Sequence, residues 1–367
     1  MKAACSRNPY IEIPKMKKDI IPHSRPSVGK EEIEAVSRVI NSGHVAQGRE
    51  VAAFEDEFAR KIGVRYAAAV NSGTAALHLV LIAMGAVAGN EIIIPSYVCT
   101  ALLNAVNYTG ATPVIADIDP ETLNIDPVDV KSRITSRTKA IIVPHMFGLV
   151  ADLDRLSSFG VPVIEDCAQA PGALYKGKMA GSIGSAAIFS FYATKMMTCG
   201  EGGMVVSDSE EIINSVRKNR DYDNRKIYSV RYNYKMTDIQ AAMGRVQLGK
   251  LDRFIRKRRE AARIYNKAFS GLGFQRPYDD TGHLYYRYVI KVKQDVARWI
   301  KHLGAMGVSG ARPVFKPLHD YQGRKGFDCT DSIFEQALSI PVYPALSETE
   351  TQKIAAAVIQ TGNRVKI

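Results

Sequence analysis

Lys195 is the residue in this sequence whose type and surroundings most directly suggest covalent chemistry. It follows the apolar run 186–191 and precedes the glycine-rich turn 200–203, with almost no charged neighbours. Desolvation disfavours the ammonium form of a lysine, and a neutral amine is what Schiff-base formation requires. A lone lysine in a loop is more commonly a solvated side chain. The segment alone therefore suggests this chemistry without establishing it.

Two further segments could bind a ligand beside such a lysine. Asp166 ends the apolar run 161–166, at the position where open α/β sheets place their ligands, although many strands end in an Asp that only caps a turn. Ser72 is a good helix N-cap, and Gly73 and Thr74 behind it would let free amides at a helix start hold a phosphate. The alternative for this second segment is an ordinary capped helix.

The elements that must position these residues alternate along the chain. Helices are predicted from near Gly29, over 49–62 and over about 237–269. Strands are predicted at 66–70, 91–94, 112–118, 140–144, 161–166, 186–191 and 203–207. Several of these runs are continuously apolar, as expected for strands that helices cover on both faces. The order of elements predicts a largely parallel α/β sheet.

The C-terminal part has a different pattern, which predicts a second and smaller α+β domain. Residues 282–293 are typical of a strand, 295–306 of a helix, and a last helix is predicted from Ser347, where Ser347 and Glu350 match a capping box. The predicted division is a basic N-terminal arm at 1–25, a large domain at 26–250 and a small domain at 251–367.

The bulk composition is that of a globular protein, since 46% of the 367 residues are hydrophobic and 23% are charged. No apolar stretch reaches the length of a transmembrane helix, and the basic N-terminus lacks the apolar core of a signal peptide. Five dispersed cysteines without CxxC spacing argue against a disulfide framework or a zinc knuckle, and we expect a cytoplasmic protein. They are Cys5, Cys99, Cys167, Cys199 and Cys329.

The net charge of +12 is densest at 256–259, inside the predicted long helix. We interpret this cluster as a solvated helix face and not as a nucleic-acid patch, because no zinc-finger or RRM pattern accompanies it. His145, His283 and His319 lack metal-ligand spacing, so no metal site is expected. Residues 181–184 lack the G-x-G-x-x-G pattern, which argues against a dinucleotide site.

Taken together, the three segments resemble the DegT/DnrJ/EryC1/StrS family of sugar aminotransferases that depend on pyridoxal phosphate (PLP). They occur in the family's order, with Asp166 placed 29 residues before Lys195. The resemblance extends over further blocks, at 21–48, at 145–148 with 151–153, and at 233–242. It implies the PLP-dependent transferase fold of the aspartate aminotransferase type (fold type I).

The resemblance also implies a role for each matching catalytic residue and the reaction itself. Lys195 would carry PLP as a Schiff base and move a proton between the substrate and the cofactor. Asp166 would keep the pyridine nitrogen protonated, and Gln169 would bond the cofactor's 3′-oxygen. The reaction would transfer an amino group from glutamate to a keto sugar, linked to a nucleotide. The alternatives are a PLP-dependent sugar dehydratase, which would have His in place of Lys195, and a non-catalytic regulator with this fold.

The phosphate of PLP would, by the same resemblance, be held from two sides. Ser190 and the amides around Gly73 and Thr74 would bind it from one subunit. Asn233 matches a residue that in the family reaches the phosphate from the neighbouring subunit, which implies a homodimer with shared active sites.

The sequence departs from the family pattern at two positions. Cys99 stands where relatives often place an aromatic ring over the cofactor, and either Tyr97 or the Cys99 thiol would cover that ring here. Lys235 replaces the usual Arg, which keeps the charge but loses the planar fork of donors. His319 would border the substrate pocket or lie at the surface. We expect specificity to lie around 222–232 and 313–319.

Overall fold

The computed structural model describes residues 20–223, 226–272, 277, 282–293 and 295–365. Residues 1–19 of the predicted arm at 1–25 therefore lie outside the described residues. The helices are α1 Lys30–Ser42, α2 Arg49–Ile62, α3 Gly73–Ala83, α4 Ala101–Tyr108, α5 Pro127–Arg133, α6 Leu153–Ser157, α7 Glu210–Asn219, α8 Asp238–Ala268, α9 Val296–Ala305, α10 Leu318–Tyr321, α11 Asp328–Gln336 and α12 Glu348–Val365.

Seven strands form one central sheet in the order β1-β9-β8-β5-β4-β2-β3. Two small antiparallel pairs, β6 with β7 and β10 with β11, lie outside it. The strands are β1 Tyr66–Val70, β2 Glu91–Pro95, β3 Thr112–Ala116, β4 Thr138–Pro144, β5 Val163–Asp166, β6 Leu174–Tyr175, β7 Lys178–Met179, β8 Ala186–Ser190, β9 Gly203–Ser207, β10 Tyr288–Lys291 and β11 Ala337–Ile340.

The predicted largely parallel sheet is confirmed, and all seven predicted strands are present. Strands β8, β5, β4, β2 and β3 are paired in parallel, whereas β9 is antiparallel to both of its neighbours. Strand β1 therefore runs in the same direction as β8. As a result, the carboxyl ends of β1, β2, β4, β5 and β8 lie at one edge of the sheet.

Helices cover both faces of this sheet because its strands are apolar on both sides. Leu77 of α3 and Ile94 of β2 belong to one buried cluster, whereas Phe54 of α2 and Phe189 of β8 belong to another. The aromatic rings of Phe58 and Phe189 make an edge-to-face contact at 4.8 Å. These two clusters hold the strands, and hence the loops at their carboxyl ends, in fixed positions.

The C-terminal part forms its own small unit around β10 and β11, with Trp299 of α9 and Ile354 of α12 in a separate buried cluster. The predicted helix starting after Ser347 is confirmed, since Glu350 N–H donates to Ser347 Oγ at 3.1 Å and Ser347 N–H to Glu350 Oε2 at 2.8 Å. Helix α8 continues without interruption through residue 250. The division at that position stays a prediction.

Two expectations were wrong in detail. The strand predicted over 282–293 is confined to Tyr288–Lys291, because Tyr285 has a left-handed backbone (φ 53°) that no strand accommodates. The basic cluster 256–259 is not wholly a solvated face. Arg256 and Lys257 are exposed, but Arg258 is buried and donates hydrogen bonds to the carbonyls of Tyr286 (3.1 Å) and Val342 (2.5 Å).

None of the described helices combines the length and the apolar character that crossing a membrane requires.

Candidate active site

The start of α3, after β1, lies at the carboxyl edge of the sheet. Ser72 caps the helix, with its Oγ accepting from Ala75 N–H at 3.1 Å, and Ala76 N–H donates to Ser72 O at 3.0 Å. The amides of Gly73 and Thr74 precede these first bonded amides. The N–H groups of a first helical turn have no partner within the helix, so they point outward as an anion-binding surface.

Gly73 is required at this position by the closeness of β8. A Cβ on residue 73 would lie 2.9 Å from Ser190 Cβ and 3.2 Å from Ser190 Oγ. Any side chain would thus separate the helix start from the end of β8. The structure places Ser190 directly beside Gly73, which brings together two of the residues predicted to bind phosphate.

Asp166 and Lys195 lie at the carboxyl ends of two adjacent strands, β5 and β8. Asp166 is only 7% exposed, and its Oδ1 accepts from Ala168 N–H at 3.0 Å. Burial raises the pKa of Asp166, while the Ala168 amide and the charge of Lys195 act in the opposite direction. The predicted lysine and carboxylate are therefore close enough to interact electrostatically, inside a largely dehydrated site.

Lys195 lines a cavity of about 220 Å³ between the large and small units. Three of the lining side chains are cationic, Lys195, Arg287 and Lys316, and no lining residue is acidic. The complete described lining is Cys99, Thr100, Met146, Phe147, Gln169, Lys195, Tyr286, Arg287, Pro313, Val314, Phe315, Lys316 and Tyr321. Such a cavity favours anionic ligands.

Gln169 lies in the wall of this cavity and is oriented by its neighbours. Its Oε1 accepts from Phe147 N–H at 2.9 Å, and its Nε2 lies 3.9 Å from Met146 Sδ. Phe147 has an unusual positive φ of 57°, and the next residue, Gly148, packs against Leu284 of the small unit. The amide NH₂ of Gln169 thus has only a weak acceptor among the described residues and remains available to an oxygen of a ligand.

Cys99 and Tyr97 occupy different surroundings. Cys99 is exposed and lines the Lys195 cavity, and the charges of Lys195 and Asp166 both act on its thiol. Tyr97 is completely buried, with its ring in edge contact with Phe147 at 6.4 Å, and it does not line the cavity. Of the two residues considered for covering the cofactor ring, Cys99 is the one at the cavity.

Asn233 and Lys235 lie on the segment leading into α8. Asn233 is exposed and does not line the Lys195 cavity of its own chain, and its backbone oxygen accepts from Asn71 Nδ2 at 3.2 Å. Lys235 forms ion pairs with Asp221 (2.7 Å) and Asp223 (2.8 Å). The charge of Lys235 therefore holds the adjacent segment 221–223.

His319 is neither of the two things expected of it. It does not line the cavity, and it is 2% exposed, so the surface alternative is wrong. Its Nδ1 lies 2.6 Å from Ser96 Oγ and its Nε2 lies 3.1 Å from Asp331. These contacts connect the loop after β2, which contains Cys99, to the 313–321 segment of the opposite wall.

Sequence reasoning missed Tyr286 and Arg287, which enter the cavity from the small unit. Tyr286 Oη bonds the side chain of Thr194, and Lys195 Nζ lies 5.4 Å from the centre of its ring. Burial opposes ionisation of Tyr286, but the charges of Lys195 and Arg287 outweigh burial and lower the pKa of its hydroxyl. The only sequence signal was the aromatic and basic run 285–288 before a strand.

Glu165 and His145 were also missed as a pair that supports the site from behind. Both are fully buried, and His145 Nε2 lies 3.0 Å from Glu165 Oε2. The carboxylate of Glu165 also accepts from the amides of Gly181, Ile183 and Gly184 at 2.7–2.8 Å. With Cys167 these residues form a compact group of metal-ligand types, but the oxygens of Glu165 already accept four hydrogen bonds.

A lysine and a buried carboxylate that follow adjacent strands, with a glycine-containing helix start at the same sheet edge, are what a PLP-dependent transferase of fold type I requires. Residues 26–359 match the profile of the DegT/DnrJ/EryC1/StrS aminotransferase family. The chain belongs to this family and is a PLP-dependent sugar aminotransferase, as the sequence resemblance implied.

Individual relatives agree with this assignment over nearly the whole chain. The chain is 38% identical to the spore coat polysaccharide biosynthesis protein SpsC of Bacillus subtilis (strain 168), covering 92% of this chain and 96% of SpsC. It is 37% identical to the GDP-perosamine synthase of Caulobacter vibrioides, covering 85% and 90%. The solved structure of Spr1654 from Streptococcus pneumoniae in its PLP-form superposes with a TM-score of 0.90 at 26% identity, covering 95% and 100%. The predicted fold class is confirmed.

Proposed function

We propose that this protein transfers an amino group from glutamate to a keto sugar carried on a nucleotide, using PLP bound at Lys195. The observation that carries this proposal is the meeting of Lys195, buried Asp166 and the open helix start at Gly73 at one sheet edge. None of these residue types is diagnostic alone. Their position at one sheet edge, where Lys195 also lines a cationic cavity that Asp166 and Gly73 do not line, supports a phosphorylated pyridine aldehyde as the ligand.

The residues present fit PLP in three respects. Asp166 is a buried carboxylate, and burial raises its pKa. A cationic ring nitrogen beside it would lower that pKa again, which favours the ionised pair. The amides of Gly73 and Thr74 with Ser190 offer neutral donors to a phosphate. Lys195 would supply the amine that holds the aldehyde carbon, and Gln169 would donate its NH₂ to the ring oxygen.

When bound, PLP supplies an electron sink that stabilises negative charge on the substrate carbon that loses its proton. The amine of Lys195 would be the base that takes that proton from the substrate and delivers it to the cofactor. Asp166 would hold a proton on the ring nitrogen, because a buried carboxylate gains from pairing with a cation. Cys99, which lines the cavity, would be the residue that covers the cofactor ring.

The substrate classes are supported by the charge of the cavity. Glutamate and a nucleotide-linked sugar are both anionic, and Arg287 and Lys316 add two cations to the wall around Lys195. The name of the Caulobacter vibrioides relative, GDP-perosamine synthase, also points to a sugar on a nucleotide. We propose the same substrate class for this chain.

A homodimer with shared active sites is proposed from the position of Asn233. Asn233 is exposed and does not line the cavity of its own chain, while the nearby segment 227–230 exposes Ile227, Tyr228 and Val230. Large exposed apolar side chains next to a ligand-binding residue favour a contact with a second copy.

The test is spectroscopic, and its first half needs no knowledge of the acceptor. We expect the PLP-loaded protein to absorb near the visible edge and glutamate to bleach that band. A panel of nucleotide-linked keto sugars should then restore it, with amino-sugar products identified by mass. Lys195→Ala should lose both responses, whereas Lys301→Ala, which removes an exposed lysine of α9, should keep both.

Three outcomes would overturn the proposal. Turnover of a keto sugar by Lys195→Ala would remove the role of the lysine. Release of pyruvate or ammonia without an amino-sugar product would favour the dehydratase reaction. A colourless protein whose spectrum does not change with added PLP would favour a non-catalytic regulator.

A further inference from the structure

Arg287 stands immediately before β10 and reaches the Lys195 cavity from the small unit. Its Cζ and the Nζ of Lys195 each lie 5.4 Å from the centre of the Tyr286 ring. The two cations can therefore be no further apart than twice that distance. A small molecule that reacts at Lys195 has Arg287 within reach of its far end.

No carboxylate among the described residues neutralises the charge of Arg287. Its Nη1 lies 3.1 Å from Nδ1 and 3.2 Å from Nε2 of His23, and His23 Nε2 lies 2.8 Å from Ser339 Oγ. Burial, reinforced by the charge of Arg287, lowers the pKa of His23 to about 3, so the imidazole is neutral at physiological pH. Within the part of the chain that the structure describes, no Asp or Glu forms an ion pair with Arg287.

Two other buried or half-buried arginines of this region, Arg258 and Arg312, bind groups of the protein itself. Arg258 donates to the carbonyls of Tyr286 and Val342, and Arg312 pairs with Glu335. Arg287 differs because a neutral histidine supports it and a cavity lies in front of it. A half-buried guanidinium in this position is oriented and charged, and the described part of the chain offers it no anionic partner. A carboxylate is a geometrically matched ligand for its fork of donors.

We propose that Arg287 binds the side-chain carboxylate of the amino donor and so selects a dicarboxylic amino acid. This inference rests on the proposed function, in which glutamate supplies the amino group. The amine and the α-carboxylate of the donor share the carbon that must react beside Lys195. The side-chain carboxylate extends past the Tyr286 ring to the second cation. His23 acts as a positioning residue, because it contacts Arg287 but does not itself line the cavity.

The experiment uses the PLP-loaded full chain and the donor half of the reaction, followed by the cofactor absorbance. In Arg287→Gln, the apparent Kd for glutamate should rise about 10- to 100-fold, because a charge-assisted hydrogen bond is lost. The ratio of kcat/KM for glutamate over alanine should fall by a similar factor. Arg287→Lys should recover part of the loss, since it keeps the charge without the fork.

A second readout does not depend on turnover. Glutarate, a dicarboxylate without an amine, should bind the wild-type protein in a calorimeter and bind Arg287→Gln about 10- to 100-fold more weakly. Arg298→Gln removes an equal charge from the exposed face of α9 and should match the wild type in both assays. This control separates the contact at the cavity from a general loss of positive charge.

Equal losses for glutamate and alanine would place the contact at the α-carboxylate and overturn the proposal. Unchanged glutamate and glutarate binding, with weaker binding of a nucleoside diphosphate, would assign Arg287 to the acceptor's phosphates and also overturn it. A wild-type protein that does not respond to glutamate would instead refute the proposed function. In that case the role of Arg287 would be tested separately by glutarate. Equal affinities of the wild type and Arg287→Gln for glutarate would refute it.

Discussion

Glu165→Gln changes one atom in the buried support of the site and should destabilise the protein measurably. Oε1 of Glu165 accepts from Ile183 N–H (2.8 Å) and Gly184 N–H (2.7 Å), and Oε2 accepts from Gly181 N–H (2.8 Å) and lies 3.0 Å from His145 Nε2. Glutamine retains one oxygen, so one pair of donors would face an NH₂ group in place of an acceptor. The side chain is fully buried, and water cannot replace the lost acceptor.

The expected magnitude follows from those contacts. Leaving a buried donor without an acceptor costs about 1–3 kcal/mol. The amides of Gly181 and Ile183 donate to different oxygens of Glu165, so Glu165→Gln removes the acceptor of at least one of them. We expect a loss of roughly 2–4 kcal/mol in the free energy of unfolding, which should lower the thermal midpoint by about 3–5 °C. Glu165→Ala should be worse, because it removes both oxygens.

The pH dependence provides an independent check. Burial opposes ionisation of Glu165, but the hydrogen bonds from His145 and the backbone outweigh burial and hold its pKa below the ordinary value of 4.5. A carboxylate with a lowered folded pKa contributes stability above 4.5 and loses that contribution as the pH falls through the folded pKa. The stability difference between the wild type and Glu165→Gln should therefore shrink below pH 4.5.

The assay is thermal unfolding of both proteins over a series of pH values, followed by circular dichroism. Ser157→Ala, at an exposed position of α6, is a suitable control that should unfold like the wild type. A midpoint for Glu165→Gln equal to that of the wild type near neutral pH would refute the reasoning. A difference that grows as the pH falls would contradict the assigned sign of the pKa change.

Two other substitutions test close contacts at the site. Gly73→Ala should weaken PLP binding by about 10-fold or more in an absorbance titration, because its Cβ would lie 2.9 Å from Ser190 Cβ and overpacking of this kind costs about 1–3 kcal/mol. Gly249→Ala should bind PLP normally, because a Cβ added at residue 249 would meet no neighbouring atom within 4 Å. Ser96→Ala should lower the free energy of unfolding by about 1–3 kcal/mol, because it leaves buried His319 Nδ1 without its 2.6 Å partner. Full stability of Ser96→Ala in urea would show that this contact contributes nothing.

The positions of the strands were predictable, because a strand that is buried on both faces is a continuous run of apolar residues in the sequence. Runs such as 66–70 and 203–207 are continuously apolar, and helices cover them as expected. The end of the 282–293 run was not predictable, because the interruption is a left-handed backbone at Tyr285. No glycine or proline marks that position, and the contact of Gly148 with Leu284 and Tyr286 lies there.

Some residues of the candidate site were likewise predictable from the sequence, and others were not. Lys195, Asp166 and Gly73 could be named in advance, because they follow apolar strands in a recognisable order. Arg258 was misread, because a cation in a basic helical run is normally solvated and only the carbonyls of Tyr286 and Val342 give it a buried role.

The sequence by itself determined the elements and the order of motifs that place a lysine beside a carboxylate. Only the tertiary structure decided what else reaches that lysine. Tyr286 and Arg287 are about 90 residues away in the chain, and they arrive because the small unit packs beside the carboxyl edge of the sheet. Periodicity reports which face of an element is buried, whereas the partner of that face depends on packing between elements, which no local pattern encodes.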